Sequence, residues 1–113
     1  GSTPLHCAAA KGHAMVAMLL IEKGAVVSAP QEDGATPLHD AAREGHAAVC
    51  ELLISNGAKV SAVDRTIKTP LHCASCKGNI GAAHVLIQHG ADVSATDWMH
   101  QTALYLAADE GED

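Results

Sequence analysis

The residues best equipped for chemistry in this 113-residue chain are its eight histidines and four cysteines. An imidazole can bind a metal or move a proton near neutral pH, and a thiolate can attack or ligate. The densest cluster is His72, Cys73 and Cys76. A Cys-x-x-Cys pair suits zinc, but such a pair usually sits on a knuckle and is matched by a second pair. No second pair occurs here, and the spacing falls inside a helical pattern, so no metal is expected. Cys76 stands beside Lys77, whose charge favours a thiolate, and is the one candidate for a reactive thiol. His6, His39 and His72 follow another logic, because each closes a Thr-Pro-Leu-His run. A catalytic site needs one constellation, whereas a structural hydrogen bond is needed once in every repeating unit. The common register therefore assigns these rings to structure. It does the same for His13 and His46, which follow turn glycines, with Asn79 at the third copy. No Gly-rich phosphate loop or nucleophile elbow occurs. Neither a cofactor nor an enzymatic activity is expected.

The elements that carry these residues are set by composition and period. Hydrophobic residues make up 48% of the chain, yet it holds no Phe, one Trp and one Tyr. Much of the remainder is Ala. Such a composition cannot fill a wide interior and suits thin layers of closely packed helices. Thr-Pro-Leu-His begins at Thr3, Thr36 and Thr69, a period of 33, and Thr102-Ala103-Leu104-Tyr105 continues it. Aligning the three full units leaves 13 of 33 positions identical. Within a unit, Thr36 is a good N-cap and Pro37 fits the first helical position. Leu38, Ala41 and Ala42 give a short helix with a narrow apolar stripe. Gly45 ends it in the left-handed conformation. A second helix runs from about His46, with Val49, Leu52 and Leu53 on its buried face, and Gly57 closes it. Residues 58–68 then form an extended connection. One helix pair cannot bury its apolar face alone, but stacked pairs can.

The period, the Thr-Pro-Leu-His-x-Ala-Ala-x-x-Gly-His run and the later Leu-Ile-x-x-Gly-Ala-x-Val resemble the ankyrin repeat family, from Thr3 to Gly111. The resemblance implies an all-α solenoid of stacked antiparallel helix pairs joined by hairpin-like fingers. It implies a concave face that binds partner proteins. One domain over residues 1–113 is expected, with repeats 3–35, 36–68 and 69–101 and a partial repeat 102–113. The family favours Asp-Gly at the finger tip. Asp33-Gly34 fits, but Thr66-Ile67 and Met99-His100 stand at the matching positions. Isoleucine is costly at positive φ, so the second finger is expected to use a different turn.

The candidate partner-binding residues follow from the finger tips and the exposed ends of the first helices. They are Glu32, Asp33, Arg65, Thr66, Trp98 and Met99 on the tips, and Arg43, Glu44, Cys76 and Lys77 on the helices. Trp98 and Met99 stand out, because an only Trp on a tip suits an interface core. Trp98 could instead fold back against its own repeat. No patch is strongly of one sign, so the sequence names neither an acidic nor a basic partner.

The net charge is -6, with four acidic residues in the last five positions. That balance lacks the footprint of a nucleic-acid binder or a basic membrane-surface helix. Neither a signal peptide nor an apolar run of membrane-spanning length occurs. The cysteines are expected to be reduced and mostly packed, in an intracellular protein. The first unit leaves Met15, Val16, Met18 and Leu19 without an upstream neighbour. The chain is therefore expected to be a fragment of a longer array, or a monomer that self-associates weakly through this end. The first functional reading is a module that binds a protein or peptide across the fingers and first helices. The second is a regulatory or structural segment of a larger multidomain protein, packed in cis.

Overall fold

The structure, a computed structural model, describes residues 2–97, 99, 101 and 102. The helix expected after Thr102, with Tyr105 and the acidic tail, lies outside these residues, as does Trp98. Six helices are described: α1 Pro4–Lys11, α2 Ala14–Glu22, α3 Pro37–Arg43, α4 Ala47–Ser55, α5 Pro70–Cys76 and α6 Ile80–Gln88. They form three antiparallel pairs, and no strand occurs among the described residues.

Each first helix begins the same way. Thr3, Thr36 and Thr69 are extended N-caps, with proline next and a reciprocal capping box from the histidine three residues on. The histidine's backbone N–H donates to the threonine hydroxyl oxygen, and the threonine N–H donates to the ring Nδ1, at 3.0 Å in the second pair. A threonine cap contributes about 1 kcal/mol. The other ring nitrogen reaches much further along the chain. Nε2 of His6 donates to the Ala35 carbonyl at 2.9 Å, His39 to Lys68 at 2.8 Å and His72 to Gln101 at 3.0 Å. A carbonyl can only accept, so Nε2 carries the proton and Nδ1 is left as an acceptor. Each ring thus joins the start of its own helix to the residue just before the next unit.

A second set of bonds ties the other end of each first helix to its neighbour. The last carbonyls of a helix have no partner within it. His46 Nε2 donates to the Ala10 carbonyl at 3.0 Å. Asn79 Nδ2 donates to the Ala42 and Arg43 carbonyls at 3.0 and 2.6 Å. Gly45, at φ 79, lets the chain turn here, and a Cβ on it would meet the Asn79 amide.

The core is a thin row of small and branched side chains. Leu5, Leu38 and Leu71 lie one above another with Ala8, Ala9, Ala41, Ala42 and Ala74, all buried. Helix α3 is packed between α1 and α5, and each residue from Pro37 to Ala42 is buried. The second helices add Ala17, Val49, Cys50, Leu53, Ala82 and Leu86. Met15, Val16, Met18 and Leu19 lie exposed on α2, with Met15 at 80%. The stack measures 39 × 25 × 21 Å. Among the described residues, no helix is long and apolar enough to cross a membrane.

The loops after α2 and α4 end in matching hairpin fingers. In the first, Gln31 N–H donates to the Ala35 carbonyl and Gly34 N–H to the Gln31 carbonyl. In the second, Asp64 N–H donates to Lys68 and Ile67 N–H to Asp64. This is a three-residue hairpin loop whose last position is left-handed. The second finger therefore does not change its turn, contrary to the expectation from its sequence: Ile67 sits at φ 63. The reason is Asp64. Its Oδ1 accepts from the Thr66 N–H at 2.8 Å, the Thr66 hydroxyl at 2.8 Å and the Lys68 N–H at 3.0 Å. Three bonds to one carboxylate oxygen hold the loop against the strain at Ile67.

Two predictions follow from this architecture. A left-handed β-branched residue costs roughly 1–2 kcal/mol, and glycine returns part of that as chain entropy. Ile67→Gly should therefore stabilise the fold by about 1 kcal/mol in urea unfolding, and a loss of stability would contradict the strained turn. The second concerns His39. Burial holds its imidazole below the ordinary value of 6.5, outweighing its bond to the Lys68 carbonyl. The unfolded chain then binds the proton more readily, so this contribution is complete above pH 6.5 and is lost as pH falls from there toward the lower folded value. In an NMR titration the folded His39 ring should titrate below 6.5, and a midpoint above that value would refute the assignment.

Candidate functional site

The fingers are stacked as closely as the helices. The Arg65 backbone N–H donates to the Asp33 carbonyl at 2.9 Å, tip to tip. A Cβ on Gly34 would stand 2.9 Å from that same nitrogen and 3.1 Å from the Asp64 Cα. Glycine at this position therefore serves both the left-handed turn and the approach of the next finger. The tip residues remain open to solvent. Glu32, Asp33, Arg65, Thr66 and Met99 are exposed.

Between the fingers and the first helices lies an open cleft of about 450 Å³. Asp33, Arg65 and Thr66 line it from the fingers, and Arg43, Cys76 and Lys77 from α3, α5 and the turn after α5. Six of the ten candidate residues thus share one surface. Glu32 lines a smaller neighbouring hollow with Ser2, Gln31 and Asp33. Glu44 is exposed but is not part of either lining, and Met99 belongs to the third finger. Trp98 lies outside the described residues.

The sequence reading passed over Lys68, which also lines the cleft. It occupies the last position of the unit, matched by Ala35 and Gln101, where nothing in the pattern marks a surface residue. Its carbonyl is taken by His39, and that bond fixes the backbone from which its side chain enters the cleft. With Lys68 included, four of the chain's seven Lys and Arg residues face one another here.

Their neutralisation within the protein is incomplete. Arg43 donates to Asp40 at 3.0 Å. Burial raises the Asp40 carboxyl pKa, while the charge and hydrogen bond of Arg43 pull it down. Arg65, Lys68 and Lys77 have no carboxylate within ion-pair distance among the described residues. The two carboxylates lining the cleft are occupied by backbone groups. Asp33 Oδ1 accepts the Ala35 N–H at 2.9 Å, and Asp64 holds the second finger. Burial works against ionisation of Asp64, but bonds from Lys68 and Thr66 prevail and keep its pKa below the ordinary carboxylate value.

The cysteines differ in burial, and only Cys7 departs from the packed environment expected for most of them. Cys50 and Cys73 are buried, Cys76 is half-buried and Cys7 is exposed. Cys7 and Cys73 hold the same repeat position, so their difference comes from packing: α3 covers Cys73 on one side, and no helix precedes α1 among the described residues. Burial pushes the Cys50 thiol up to about 12. Burial also pushes Cys73 up to about 11, against the opposing charge of Arg43. Among the described residues, no group of three or more His, Cys, Asp or Glu side chains is placed to hold a metal ion.

The family described as ankyrin repeats, in three copies, matches residues 1–64, and a single ankyrin repeat matches residues 68–98. No curated protein matches the chain.

The thiol environments give a direct test. A maleimide or disulfide reagent at pH 8 should label Cys7 and Cys76 in the native chain and leave Cys50 and Cys73 protected. All four should react after unfolding. Rapid native labelling of Cys73 would mean that α5 is not packed as described.

Proposed function

The chain belongs to the ankyrin repeat family, whose members are generally protein–protein interaction modules and typically not enzymes, and from that premise we propose that it binds a partner protein or peptide across the fingers and first helices. The observation that carries this reading is the cleft where Asp33, Arg65 and Thr66 of the fingers meet Arg43, Cys76 and Lys77 of the first-helix side. Residues 33 apart come from separate repeats and line one surface. Interface affinity generally rests on a few anchors within a larger contact. Trp98 and Met99 on the third finger are proposed as apolar anchors, with Glu32 and Glu44 at the margin.

The free protein is proposed to be a monomer, with weak self-association through the exposed α2 residues, and to bind neither nucleic acid nor membrane. Four free cysteines favour a reducing, intracellular compartment.

The reading is tested by affinity capture with variants on two faces. Trp98→Ala with Met99→Ala, and separately Arg65→Ala with Lys77→Ala, should each weaken capture of the partner by about tenfold while the helical circular dichroism is unchanged. Glu51→Ala with His84→Ala, exposed on the second helices, should leave capture intact. The opposite pattern would assign binding to the second-helix face. Sedimentation of the same samples reports whether the free chain is monomeric.

A further inference from the structure

The charge around the cleft sits uneasily with the charge of the chain. A protein of net charge -6 would be expected to repel acidic partners. Yet Arg43, Arg65, Lys68 and Lys77 line the one cleft, while Lys11, Lys23 and Lys59 are its only other cationic side chains besides histidine. The repeat itself does not demand this grouping. Arg43 and Cys76 share a register position that is Ala10 in the first unit, and Arg65 shares one with Glu32. The cations arise at different positions of the unit and meet only because adjacent repeats are stacked.

The opposing charges are poorly placed to cancel them. Asp64 has three donors on one oxygen. Asp33 is tied to its own turn, and Asp40 is buried behind Arg43. Hydrogen bonds from neutral groups leave the charges of Asp33 and Asp64 in place, but the four cations of the lining outnumber its two carboxylates, and three of the four have no ion-pair partner among the described residues. Low-dielectric walls around a cleft concentrate such a field and raise the local concentration of oppositely charged groups.

Resting on the concave-face reading above, we propose that this cleft takes an acidic segment of the partner, with two or more Asp or Glu side chains a few residues apart. Arg65 at the finger tip and Lys77 after α5 bound the cleft on its two sides and would pair with carboxylates at separate points. Lys68 lies at the finger's base. Arg43 is held by Asp40 through one guanidinium nitrogen and keeps further N–H donors, which suit a carboxylate. Thr66, His72, Cys73 and Cys76 supply the rest of the wall. Thr66 stands beside Arg65 on the finger and Cys76 beside Lys77 on the helix side, so each charged side also offers an uncharged contact. Glu32 and Glu44, outside this lining, would disfavour an acidic segment that extended toward the first unit.

The test is selection of a random-peptide phage library on the immobilised wild-type chain, followed by affinity measurement of the peptides obtained. Peptides enriched in Asp and Glu are expected. Their affinity should fall about tenfold in Arg65→Glu with Lys77→Glu, and about tenfold again on raising salt from 50 to 500 mM, as for rim charges. Both side chains are exposed and without an intramolecular partner among the described residues, so circular dichroism should show the fold intact. Peptides with no acidic excess that still lose affinity in this variant would overturn the proposal and leave the concave-face reading standing. Peptides indifferent both to this variant and to Trp98→Ala with Met99→Ala would overturn both. A mixed-sequence single-stranded oligonucleotide that displaces the acidic peptides at equal concentration would also overturn it, in favour of a nucleic-acid ligand.

Discussion

The bond between a histidine Nε2 and a carbonyl 29 residues later is the constraint from which the rest of the stack follows. It fixes the residue immediately before the next threonine cap, and so sets where the next first helix begins. The same ring, through Nδ1, takes the N–H of its own cap. One neutral imidazole therefore spans two units, and it must stay in a single tautomer to do so. Both nitrogens are committed, which leaves neither for a metal or a proton transfer. The histidines that look most like chemistry in the sequence are spent on geometry.

The fingers obey a second, local constraint. Glycine is the ordinary means of reaching the left-handed end of this turn, and the first finger has it in Gly34. The second finger reaches the same backbone with isoleucine, because Asp64 gathers three donors onto one oxygen. Tertiary and side-chain bonding outweigh local propensity here. The consequence extends to the neighbouring finger, since the two tips of matching shape are joined by the bond from the Arg65 N–H to the Asp33 carbonyl.

Much of the scaffold was legible because it repeats. A threonine cap, a proline, a leucine and a pair of small residues recur in one register, and the helices fall where that register puts them. Two things were illegible for physical reasons. The Ile67 conformation depends on hydrogen bonds from Asp64, which propensity at a single position does not contain. The exposure of a cysteine depends on whether a neighbouring helix covers it, and Cys7 and Cys73 share a sequence environment while differing in burial. Asn79 in place of histidine shows the reverse case. The residue type changes, but the need to satisfy the preceding helix's last carbonyls does not, and the amide meets it with two bonds.

Charge is the property that a linear reading serves least well in such a fold. Net charge adds residues without regard to place, and along this chain both signs occur among the candidate positions. Stacking converts a separation of about one period into adjacency, so a finger residue of one unit faces a helix residue of the next. Arg43 and Lys77 are 34 positions apart in the chain and line the same cleft. Lys68 joins them because His39 holds its backbone in place, although its register position is otherwise occupied by Ala35 and Gln101. An array built this way can vary its surface one position at a time without disturbing the histidine bonds beneath. The recognition chemistry of the cleft is therefore set by combinations across repeats, and those combinations become visible only when the repeats are stacked.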